Sequence, residues 1–105
     1  MSALTHEEKT LMLQLKACTS MKLHAGVMQT LVRVADMYIV RGETQEGADV
    51  LAYVLRQQLP DDVFIRARDL YEGLETWICP RVLMDAQYFA DRATLDDIIE
   101  YVLSE

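Results

Sequence analysis

The chain has 105 residues, of which 51% are hydrophobic and 26% charged, the balance of a folded globular protein and not of a disordered one. That length holds one domain with one core. No apolar run reaches the roughly 18 uncharged residues of a membrane helix, and the opening MSALTHEEKT has neither the basic start nor the apolar stretch of a signal peptide. These features predict a cytoplasmic protein with no membrane partner. The net charge of −7 falls unevenly: residues 1–42 hold five Lys/Arg against three Asp/Glu, and residues 43–105 hold five against fourteen. An acidic surface of this kind repels phosphates, so direct nucleic-acid binding is disfavoured.

Helical period runs through the whole chain. Thr5 and Glu8 have the spacing of a capping box and open a helix over 5–20, with Leu11, Leu15 and Cys18 on one stripe. A second helix over 24–41 carries Val27, Leu31, Val34, Ala35 and Tyr38, and Gly42 stops it. Thr44 is placed to cap a third over 44–59, where Gly47, Leu51, Val54 and Leu55 recur at three and four residues until Pro60 closes it. Asp61 and Asp62 suit the N-terminus of a fourth helix over 61–78, whose stripe runs from Val63 through Ala67, Leu70, Tyr71 and Leu74 towards Trp77. Pro80 fits the first turn of a fifth over 80–92, with Val82, Leu83, Ala86, Phe89 and Ala90 inside. Thr94 and Asp97 cap a sixth over 95–103 that bears Leu95, Ile98, Ile99 and Val102. No segment has the pattern of a strand, so the prediction is an all-α domain of six helices in antiparallel pairs.

Residues capable of catalysis or metal binding do not form constellations. His6-Glu7-Glu8 starts like a zinc-protease helix, but position 10 is Thr where a second His is required. His24 stands alone at a helix start. The pairs Asp61-Asp62 and Asp96-Asp97 sit where helix N-termini attract acids. Ser20 and Ser104 lack a glycine-flanked nucleophile elbow, and the four glycines form no phosphate loop. Cys18 and Cys79 lie far apart without a Cys-x-x-Cys, which predicts buried free thiols. No enzyme class, cofactor or metal is expected.

Leu31, Val34, Ala35, Tyr38, Gly42, Gly47, Leu51 and Val54 fall at the spacing of the tetratricopeptide repeat, and the hairpin they define resembles that family. Leu31 stands for the family's usual tryptophan, Ala35 for its glycine and Val54 for its alanine. The segment from Arg66 to Leu103 is similar to the close of the helical-repeat region in large bacterial signal-transduction ATPases and transcriptional activators, down to Thr94, Leu95, Asp96 and Asp97. Their phosphate-binding loop and DNA-binding domain have no counterpart in the chain. The resemblance implies a helical repeat with C-terminal capping helices, acting as a protein-binding module that scaffolds or regulates a larger bacterial assembly. It also implies a binding face at Gln29, Arg33 and Asp36, extended by Arg66 and Asp69.

Only about one and a half repeats fit this length, and stacked repeats need about three to bury their faces. A covering partner is therefore expected: a protein of unknown identity, or a second copy in a homodimer, for which the six methionines add apolar surface. The alternative from charge is a small acidic inhibitor or nucleic-acid-mimicking decoy of a basic protein.

Overall fold

The structure, a computed structural model, describes residues 6–104, and among them it contains six α-helices and no strand. They are α1 His6–Ser20, α2 His24–Val40, α3 Thr44–Val54, α4 Asp61–Glu75, α5 Pro80–Arg92 and α6 Leu95–Leu103. The all-α reading and the order of the helices hold. None of the described helices is long and apolar enough to cross a membrane. The radius of gyration, 12.9 Å, is that of a closed chain of this length, so the helices fold around one another and do not string out as an open solenoid.

The turns explain where helices stop. Both α1 and α2 end in a Schellman turn, in which the amide two residues past the cap bonds back to a carbonyl five residues earlier. Leu23 N–H donates to Cys18 O at 2.9 Å, and Glu43 N–H donates to Tyr38 O at 2.8 Å. The second turn uses Gly42 at φ +85°, as its sequence position predicts; the first forces Lys22 to φ +57°, a conformation that costs a side-chain-bearing residue roughly 1–2 kcal/mol.

Two helices are shorter than their patterns predict. At the end of α3, Arg56 N–H bonds to Tyr53 O and Gln57 N–H to Val54 O. These tighter bonds, three residues apart, unwind the chain at Leu55, well before Pro60. In α4 the Thr76 hydroxyl donates to Gly73 O at 2.7 Å and occupies a carbonyl that a continuing helix needs, which ends α4 at Glu75 and leaves Trp77 61% exposed.

Capping differs as well. Glu43, not Thr44, is the N-cap of α3, and Pro60, not an aspartate, is that of α4; neither makes a side-chain capping bond. Asp61 and Asp62 instead lie in the first turn, where they act through the helix dipole. Thr94 and Asp97 do form the reciprocal box at α6, and Pro80 opens α5. Thr5 of the proposed first box lies outside the described residues. Its expected partner Glu8 is buried, with its carboxylate 2.8 Å from Arg41 at the far end of α2.

α3 is the centre of the fold. Every residue from Gly47 to Val54 is buried, which marks a helix surrounded on all sides. It packs most closely against α2 and α5 and less against α4. The antiparallel pairing expected along the chain holds from α1 to α3, and then the chain departs from it. α5 does not fold back closely on α4; it lies along α3 in the same direction, with Gln45 bonded to Val82 O near the start and Arg56 to Gln87 near the end. The approach of α2 to α3 depends on Gly47: a Cβ there would meet Ile39 Cγ1 at 2.7 Å and the Ala35 carbonyl oxygen at 3.1 Å. The thiols also differ from expectation, because Cys18 is only partly buried and Cys79, as N-cap of α5, is exposed.

Candidate functional site

On α2 the residues Gln29, Arg33 and Asp36 recur at i, i+4 and i+7, so they share one stripe. Val27, Leu31, Val34 and Tyr38 on the other side of the helix are buried in the core. α4 repeats the spacing with Asp62, Arg66 and Asp69, while its Val63, Ala67 and Leu74 are buried. Packing of α4 on α2 turns these two polar stripes towards each other. They are joined where Arg66 Nη2 donates to Asp36 Oδ2 at 3.0 Å.

An open groove results. One cavity of about 380 Å³ lies between α2 and α4, lined by Gln29, Val32, Arg33, Asp62, Val63 and Arg66. A second, of about 650 Å³, continues between α2 and the start of α1, where His6, Thr10 and Gln14 face Arg33, Asp36 and Val40. A third, about 190 Å³, extends along α4 past Arg66 to Asp69 and Leu70. Arg66 lines all three and Arg33 the first two. All five residues singled out in the sequence therefore lie along one groove.

Several lining residues were not singled out. The α1 wall, His6, Thr10 and Gln14, follows from the rotation of α1 about its own axis, which the contact with α2 sets. Asp62 carries a legible signal, since it stands four residues before Arg66 on the same stripe, although its position at a helix start suggested a different role. Val40 also had one: it is 80% exposed and lies one further turn along from Asp36.

The Asp36–Arg66 pair is largely solvated, so it contributes little to stability, up to about 1 kcal/mol, and chiefly fixes the spacing of α2 and α4. Arg33 is exposed and forms no ion pair among the described residues. Its guanidinium keeps all five donors available to a ligand.

A second polar cluster lies inside the protein. Asp49 is buried on α3; its carboxylate accepts from Gln45 Nε2 at 2.8 Å and from the Tyr101 hydroxyl at 3.0 Å. The Gln45 amide also donates to Val82 O at 3.1 Å, so the cluster ties α3 to α5 and α6. Burial pushes the Asp49 carboxyl above its ordinary 3.8, against the lowering effect of its two hydrogen bonds. Burial, and then the neighbouring Asp49 carboxylate, raise the Tyr101 hydroxyl far above the usual tyrosine range, which keeps it a donor. Each polar group here has a partner within the fold, and the cluster's role is to lock helices together. Among the described residues no group of three or more His, Cys, Asp or Glu side chains is placed to hold a metal ion. Comparisons of the chain with protein-family models, with curated proteins and with solved structures found no match.

Proposed function

We propose that this chain is a non-catalytic binding module that takes a segment of another protein into the α1–α2–α4 groove and thereby assembles or regulates a larger bacterial complex. The observation that carries the reading is Arg33, a cation with no ion-pair partner among the described residues that lines both of the larger groove cavities, beside an Asp36–Arg66 pair that offers both signs of charge. Val40 supplies an exposed apolar side chain in the second cavity, and the buried Val32 and Val63 line the first. A segment that covers the groove would bury its bond to Arg33 beside these groups, and a covered charge-assisted bond gives register and specificity in a protein interface. The reading places the bound segment on α2 and α4, where the tetratricopeptide resemblance puts its expected binding face.

The acidic-decoy alternative has less support. Of the carboxylates that carry the surplus, Asp61, Asp62, Asp96 and Asp97 stand at helix starts, and Asp69, Glu72 and Asp91 lie beside arginines.

Affinity capture from the source cell with the wild-type chain and with an Arg33→Glu, Asp36→Ala variant tests the groove. The partner is lost with the variant, while helicity stays at the wild-type value and the melting temperature falls by no more than loss of the Asp36–Arg66 pair allows. Retention of the partner refutes the groove. Capture by the wild type that disappears on raising the salt, with no contribution from the groove, favours the decoy.

A further inference from the structure

α5 has a second face that the fold leaves unused. Ala86 and Ala90 are buried against α3, whereas Arg81, Met84, Asp85, Tyr88 and Arg92 form an exposed stripe on the outer side at i, i+3, i+4, i+7 and i+11. Two large apolar groups stand in it, Met84 at 71% and Tyr88 at 60% exposure. A mainly apolar hollow of about 330 Å³ opens beside Tyr88, between Phe89, Ala93 and Asp97.

Among the described residues the charges of this stripe have no ion-pair partner. Arg41, Arg56, Arg66 and Arg68 each reach a carboxylate, but Arg81 and Arg92 do not, and Asp85 makes no ion pair or hydrogen bond among the described residues. The Arg92 guanidinium lies over the Tyr88 ring, 4.4 Å from its centroid, which holds it above the apolar surface. Arg81 and Arg92 stand with Asp85 on the stripe and Asp97 at the edge of the hollow, so this face carries both signs of charge.

The order of the charges is self-complementary. Asp85 and Arg92 are seven residues apart, two helical turns, and so lie on the same side of α5. An antiparallel copy of α5, related by a two-fold axis beside Tyr88, places each Asp85 opposite the other copy's Arg92, brings the two Tyr88 rings to the centre and sets Met84 against Ala93. A two-fold contact is isologous, so every favourable pair forms twice. We propose that the outer face of α5 is a self-association surface, with a second copy of this chain docked antiparallel through Tyr88 and two reciprocal Asp85–Arg92 pairs. It involves no residue of the α1–α2–α4 groove and does not depend on the reading of that groove.

Sedimentation equilibrium on the purified full chain at micromolar concentration tests this. Wild type has twice the 12.0 kDa mass of one chain. Asp85→Arg places arginine against arginine and Arg92→Glu places acid against acid, and each alone weakens self-association by at least about tenfold. Mixed one to one, the two variants recover the double mass, because every cross pair then joins opposite charges. The Asp85→Arg, Arg92→Glu double variant dimerises alone. Far-ultraviolet circular dichroism shows all four proteins equally helical. A monomeric wild type overturns the proposal. So does a dimer indifferent to either single variant, or a mixture of the two variants that stays monomeric.

Discussion

Replacing Gly47 by alanine tests the packing at the centre of the fold, and a second glycine supplies the control. In an isolated helix the change to alanine is favourable by about 0.8–1.0 kcal/mol. At Gly47 the new methyl would sit 2.7 Å from Ile39 Cγ1 and 3.1 Å from the Ala35 carbonyl oxygen. The Ile39 side chain is only partly buried and has room to turn, but the carbonyl belongs to α2 and moves only with the helix. Forcing such contacts costs about 1–3 kcal/mol, so the net change is a loss of about 1 kcal/mol and a melting temperature lower by about 4–8 °C. At Gly73, also helical, a Cβ meets nothing within 4 Å. There the propensity gain stands unopposed, and Gly73→Ala stabilises by about 0.5–1 kcal/mol. Thermal melts of both variants by circular dichroism give shifts of opposite sign. If Gly47→Ala melts above wild type, α2 and α3 are not in the close contact described, and the account of the core fails.

Two further outcomes follow from local strain and from the buried carboxyl. Lys22 holds φ +57° in the turn after α1; Lys22→Gly removes that strain at the expense of a more mobile unfolded chain, for a net gain of about 0.5–1 kcal/mol in urea denaturation. A loss would show that the turn is held by something other than backbone geometry. Asp49 binds its proton more tightly folded than unfolded, because burial raises its pKa above 3.8. Its contribution is therefore fully present below the unfolded value and is lost as pH rises through the raised folded one. Asp49→Asn, which can still accept from Gln45 and pair with Tyr101, removes this fall. Denaturation across a pH series shows the two proteins diverging above pH 3.8 in favour of the variant, and parallel curves would refute the assignment.

What the sequence makes legible here is what depends on neighbours a few residues apart. The apolar stripes, the stop at Gly42, the start at Pro80 and the Thr94–Asp97 box are all local, and each is found where its spacing places it except at Trp77, the exposed end of the α4 stripe. A stripe states that a face is buried but not what buries it. That is why α5 lies along α3 and not against α4, a relation set by bonds such as Gln45 to Val82 across 37 positions. Asp49 likewise reads as an ordinary surface acid until Tyr101, 52 residues on, is brought beside it. α3 carried a signal of its own: from Gly47 to Val54 it holds one charged residue, so it has no polar face to give to solvent. In the groove, the α2 and α4 residues were named through the tetratricopeptide resemblance, and their spacing opposite the apolar stripe of each helix is consistent with an exposed face. The α1 wall was not, because nothing in its own sequence specifies its rotation.

The placement of α3 also bears on how the two proposed surfaces relate. α3 packs against both α2 and α5, so the groove on α2 is separated from the α5 stripe by a buried helix. Covering α5 leaves the groove open. Self-association through α5 therefore joins two grooves into one particle without blocking either. A partner that presents its segment twice gains from the second groove by effective concentration alone, provided its two segments span the distance between them. A partner with a single segment gains nothing. On this basis Asp85→Arg weakens capture of a bivalent partner, leaves capture of a monovalent one unchanged, and never abolishes binding as the Arg33→Glu, Asp36→Ala variant does. Complete loss of a monovalent partner on Asp85→Arg would mean that α5 touches the ligand, and the separation of the two surfaces would have to be given up.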